Sequence, residues 1–175
     1  MSVPRPVVDA HAQQVLDALE HPISITRALR DANGAIIDFT FVFVNRAAAS
    51  WSGLAFESVV GERARDLAPA LVAGGLFEAL VRVVETGEPL AEAGARYEGS
   101  ITGGDRIDGR YDLYAVRLAD GYLSAWRRLP DDDVAPAGDG RDLRESLRLA
   151  QEVVRLVRLE SRPARPRLCL GFHPA

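Results

Sequence analysis

The side chains that could carry chemistry are few in this chain, and their spacing narrows the choice further. All 21 basic residues are Arg. Without Lys there is no Walker-type phosphate loop and no Schiff-base or pyridoxal-phosphate chemistry. Cys169 is the one cysteine, which excludes an internal disulfide framework and a Cys-rich zinc site. His11, His21 and His173 make no metal-ligand spacing. Ser50, Ser52 and Ser58 have no His nearby in sequence, and no Gly-x-Ser-x-Gly elbow presents a nucleophile. Asp131, Asp132 and Asp133 are consecutive, so their carboxylates diverge into solvent rather than converge on a cation. Arg63 and Arg65 could meet an anion, although exposed arginines are the simpler reading. What remains is a scatter of aromatics: Trp51, Phe56, Phe77, Tyr111 and Trp126. Such side chains build a core or line an apolar pocket, with the indole N–H and the phenol available to orient a ligand.

Charge and hydropathy bound the class. Residues 1–140 carry 13 Arg against 21 acidic residues, and residues 141–175 carry 8 Arg against 4. An acidic body does not attract nucleic acid, and the basic tail reads as a solvated segment. Apolar stretches such as Ala68–Leu80 are short and interrupted, so no membrane span is expected. No secretion signal opens the chain, and a cytoplasmic location is expected.

The elements that would position those aromatics follow from periodicity. Val8, Ala12, Val15, Leu16 and Leu19 recur at helical spacing, predicting an amphipathic helix over 7–20 that Pro22 stops. Residues 23–29 alternate as a strand, Asn33-Gly34 marks a hairpin turn, and residues 36–44 return. The return strand has Phe39, Phe41 and Phe43 on one side and Val42 and Val44 on the other. Both faces of that sheet therefore need cover. Asn45 is a good N-cap for Arg46–Ser52 and ties that helix to the sheet, while Gly61 punctuates the short helical pieces after it. A longer helix over 75–86 buries Leu76, Phe77, Leu80, Val81 and Val84. A weak strand near 93–98, a Gly-rich loop over 99–105, and strands at 111–118 and 122–128 complete the body. Hairpins at both ends demand antiparallel pairing, hence an α+β fold. Residues 130–141 read as a linker. Leu143, Leu147, Ala150, Val154 and Val157 then step by four and three, a seam that could pair with a second chain or pack back on the domain.

Six stretches in this order resemble a PAS domain, the sensory module of bacterial signalling proteins. They are Asp31–Phe39, Phe41–Ala49, Val60-Gly61, Leu76-Phe77 through Val84–Pro89, Tyr111–Arg117 and Gly121–Trp126. The resemblance covers roughly residues 12–128 and implies a five-stranded antiparallel sheet with short helices over one face. The expected layout is an N-terminal helix over 1–21, the PAS domain over 22–129, a linker over 130–141, a helix over 142–160 and a basic tail over 161–175.

The resemblance also implies a non-enzymatic regulatory role in signal transduction. A small apolar or amphipathic ligand would sit between helices and sheet, in a homodimer coupled to a downstream signalling domain or protein. Trp51, Phe56, Phe77, Tyr111 and Trp126 are the pocket candidates. The light-sensing branch of the family needs a Cys after the second strand, and residues 45–60 have none. Haem-binding relatives use a His on the long helix, and residues 74–87 have none. The ligand is thus left unidentified. Where the family often ends its last strand with an Asp-x-Thr signature, this chain has Arg127-Arg128-Leu129-Pro130, so the usual coupling is in question. Two alternatives stand beside this reading: a ligand-free interaction module, and a small α+β enzyme with a cavity acid–base pair.

Overall fold

The computed structural model describes residue 8, residues 10–130 and residues 141–160, with the side chains of positions 71, 73 and 156–160 outside that description. A short helix, α1 (Ala10–Asp17), leads into a hairpin of β1 (Ile23–Arg30) and β2 (Ile36–Val44). Four short helices follow: α2 (Arg46–Ser52), α3 (Phe56–Val59), α4 (Ala64–Leu67) and α5 (Pro69–Ala73). The longer α6 (Leu76–Thr86) precedes β3 (Leu90–Tyr97), β4 (Gly109–Arg117) and β5 (Tyr122–Arg128). The last described element is α7 (Arg141–Glu160). The strands form one antiparallel sheet in the order β2-β1-β5-β4-β3, as the α+β, PAS-like expectation required. Most of the expected linker, residues 131–140, and the tail after residue 160 lie outside the described residues.

Local chemistry explains the turns. At the first hairpin the Asp31 carboxylate accepts the backbone N–H groups of Asn33 and Ala35, each at 2.9 Å. At the second, a Cβ on Gly121 would collide with the Thr26 carbonyl oxygen, so β1 and β5 approach closely only because Gly is there. Gly61 sits at φ +98, where a side chain is strained, and its N–H donates to the Phe41 carbonyl at 2.8 Å. That bond and Phe41 N–H to Glu62 O at 3.0 Å occupy the outer edge of β2.

Asn45 performs the two tasks expected of it and more. Its Oδ1 accepts from Ala48 N–H, capping α2, and from Ile23 N–H, anchoring β1. Its Nδ2 donates to the carbonyls of Leu16 and His21 at 3.1 and 3.0 Å. One fully buried amide thus satisfies backbone groups from α1, the α1–β1 connection, β1 and α2.

Two expectations need correction. In β2, Ile25 pairs with Phe43 and Thr26 with Phe41, so Val42 is the extra residue of a β-bulge. A bulge reverses the alternation beyond it. Phe39 and Phe41 therefore face the helices α2–α6, but Phe43 turns to the opposite face and Val44 replaces it. In α6 the buried stripe includes Val83, with Val81 only partly buried.

The far face of the sheet is covered by α1 and α7, so of the two alternatives for the seam the structure takes the one that packs back on the domain. Ala12 and Leu16 of α1 and Leu143, Leu147, Ala150 and Val154 of α7 pack on Ile23, Ile25, Phe43, Tyr114, Leu123 and Ala125. The 143–154 seam is therefore spent inside one chain, and the side chain of Val157 lies outside the described residues. Polar contacts fix the start of α7. Arg127 bonds Asp112 on β4 through Nε and Nη2, and reaches Asp142 with Nη1 at 3.0 Å. His21 Nδ1 stands 2.9 Å from Ser146 Oγ.

Truncating Leu147 to Ala should cost about 3 kcal/mol, typical for a buried Leu that leaves a cavity. Urea unfolding measures it. Because the contact is intramolecular, the loss should not change with protein concentration. A loss that shrinks on dilution, as the pairing it removes dissociates anyway, would put the seam between chains instead.

Candidate functional site

Alternation along three strands builds the site. On β5, Tyr122, Ser124 and Trp126 face the helices, whereas Leu123, Ala125 and Arg127 face α1 and α7. On β4, Tyr111 and Leu113 face inward while Asp112 and Tyr114 face outward. On β1, Ser24 faces inward between Ile23 and Ile25. The inward set, roofed by α2–α6, lines a cavity of about 100 Å³. That is room for several water-sized groups.

Four of the five aromatic candidates line this cavity: Trp51, Phe77, Tyr111 and Trp126. Phe56 does not. It packs edge-on against Phe43 at 5.9 Å, on the side to which the Val42 bulge sends that ring. The sequence reading missed Tyr122 and Phe39, which period-two counting from Trp126 and Phe41 would have found. It also missed Tyr97, at the end of a strand that runs earlier than expected. Ile101 and Ile107 were not legible, since they sit in a Gly-rich loop. Main-chain bonds fold that loop inward: Thr102 N–H to Leu67 O at 2.8 Å, and Asp105 N–H to Ser52 O at 2.9 Å. Arg63 and Arg65 stay exposed and off the lining. The Arg65 guanidinium instead lies 4.0 Å over the Phe77 ring.

The rings touch in a continuous wall. Trp51 meets Trp126 edge-on at 5.1 Å and Tyr111 at 5.9 Å, and Tyr111 meets Tyr97 at 5.9 Å. Phe39 bridges Phe77 and Tyr122 at 5.5 and 4.9 Å. Polar groups in the lining are few and mostly paired. Ser24 and Ser124 hydroxyls bond each other at 2.9 Å, Ser52 Oγ donates to Ala49 O at 3.0 Å, and Tyr97 donates to Glu92 at 2.8 Å. Trp126 Nε1 is buried and has no acceptor among the described residues.

Tyr residues are the only titratable groups in the lining. Burial, then the bond to Glu92, pushes the Tyr97 phenol above its ordinary value, and burial does the same to Tyr122. Both stay neutral, so the cavity presents no paired acid and base and no fixed charge. Among the described residues no cluster of three metal-binding side chains occurs. The lining also fails to fit a flavin nucleotide: it has no Cys, no Asn or Gln for the polar ring edge, and no Arg for the phosphate.

A model of the PAS fold matches residues 37–123. The chain carries a PAS domain. Solved structures similar to it include a domain of a sensory box sensor histidine kinase/response regulator from Geobacter sulfurreducens, with 24% identity and a TM-score of 0.47. That match covers 69% of this chain and 93% of the other. A blue-light activated histidine kinase from Erythrobacter litoralis matches at 18% identity and a TM-score of 0.52, covering 85% of this chain. The PAS chain spans only 45% of that kinase. The PAS domain of nitrogen regulation protein NR(II) from Vibrio parahaemolyticus gives 12% identity and a TM-score of 0.46, with 69% and 100% covered. Comparison with curated proteins finds no match.

The raised phenols set an alkaline limit. A folded chain that holds protons on Tyr97 and Tyr122 while the unfolded chain releases them loses stability as pH climbs past the ordinary value of 10.0. Replacing either residue with Phe should leave unchanged the tyrosinate absorbance gained before alkaline unfolding. A smaller gain in either variant would contradict the placement of that phenol.

Proposed function

We propose that the PAS domain is a non-enzymatic sensory module that holds a small, uncharged, largely apolar ligand and reports its presence through α7. The observation that carries this reading is the uncharged aromatic cavity, walled by strands whose opposite faces hold α7. Apolar pockets with a few convergent polar groups are the usual form of small-molecule sites. The route out is short. Consecutive residues of β5, Trp126 and Arg127, touch the cavity and Asp142 of α7. A ligand that shifts β5 changes the Arg127 bridge between Asp112 and Asp142, and with it the hold on α7. Asp112 is 2% exposed, so this bridge is sensitive to geometry. Arg127 thus takes the coupling role that the missing Asp-x-Thr signature left open.

The module works in the cytoplasm and passes its state to a downstream signalling domain or protein. No described helix is long and apolar enough to cross a membrane. Self-association belongs to the same reading, and it uses surface other than the internally packed seam.

Native mass spectrometry of the gently purified full chain tests the ligand claim. The expected spectrum shows extra mass that dissociates on denaturation. The variant Ala48→Phe places a ring where Ala48 borders the cavity and should lose that mass at a cost of about 1–3 kcal/mol. A bare polypeptide under the same conditions would favour the ligand-free interaction module.

A further inference from the structure

Among the described residues, the indole N–H of Trp126 is the one buried side-chain polar atom without a hydrogen-bond partner. An orphaned buried donor costs on the order of 1–3 kcal/mol, and native structures rarely tolerate one without a reason. Other polar side chains of the lining are engaged elsewhere: the Ser24 and Ser124 hydroxyls bond each other, Ser52 donates to the Ala49 carbonyl, and Tyr97 donates to Glu92. The ring itself is held firmly, edge-on to Trp51 at 5.1 Å, with Tyr111 beyond.

Resting on the reading of the cavity as a ligand site, we infer that Trp126 Nε1–H is the anchoring donor for the ligand. The ligand is then an uncharged planar aromatic molecule that carries a hydrogen-bond acceptor, a ring nitrogen or carbonyl oxygen. Charge is excluded because the lining offers no cation or anion to replace lost hydration. Planarity follows from the aromatic wall, against which a flat ring packs offset or edge-on. The acceptor follows from the donor. A pure hydrocarbon would fill the space and leave the indole N–H unpaired, whereas an acceptor removes that penalty on entry. Trp126 therefore determines specificity, and Trp51 contributes shape alone.

The test uses two probes of the same six-membered frame, pyridine with its ring-nitrogen lone pair and benzene without one, on the full chain. The Trp126 indole N–H signal in a ¹H–¹⁵N spectrum, assigned by its loss in Trp126→Phe, should move downfield with pyridine and much less with benzene. The pyridine-to-benzene affinity ratio should fall about tenfold in Trp126→Phe and stay unchanged in Trp51→Phe. Binding of both probes with a ratio indifferent to Trp126, or with an unmoved indole signal, overturns the inference and leaves the apolar ligand site standing. Failure of both probes to enter the cavity overturns the inference and the sensory reading together.

Discussion

A twisted antiparallel sheet with apolar residues on both faces cannot stand with one face in water, and this requirement organises the whole molecule. Strands β1, β4 and β5 alternate between two cores, so each residue step crosses from one layer to the other. The sheet's inner face meets α2–α6 and does not fill completely, which leaves the aromatic cavity. Its outer face meets α1 and α7 and fills with Leu16, Phe43, Leu123, Leu143 and Val154, each nearly inaccessible to solvent. The two layers share the same strands, so the wall of the cavity is also the surface that holds α7.

The polar residues sit where this geometry needs them. Asn45 joins α1, β1 and α2 at the edge where both layers begin, and its amide satisfies backbone groups that the turn between them would orphan. Arg127 does the corresponding work at the other end, linking Asp112 of the sheet to Asp142 at the start of α7. Exposed pairs such as Arg96 with Glu98 contribute little by comparison, since solvent screens them. Between these anchors the described lining of the cavity carries no charged side chain.

The sequence was most legible where punctuation and period agree. Asn33-Gly34, Gly53, Gly87 and Ala119-Asp120-Gly121 delimit elements, and β2, α2 and β5 have the ends that those signals indicate. It was least legible where tertiary contact overrides local pattern. Nothing in Phe41-Val42-Phe43 announces a bulge, yet the bulge decides which Phe faces the cavity and which one meets Phe56. The heptad-like spacing of Leu143 to Val154 fits a partner helix or a sheet equally well, because either surface accepts one apolar stripe. Ile101 and Ile107 lie in a segment whose inward course is set by bonds to Leu67 and Ser52, far away in sequence.

In the proposed sensor the cavity on one face and α7 on the other communicate through the strands between them. Amide hydrogen exchange on the full chain, with and without a saturating aromatic probe in the cavity, measures that communication. Altered protection is expected in β5 and also in α7, beginning at the turn that holds Asp142. Changes confined to the cavity-lining segments, with α7 exchanging as before, would contradict it.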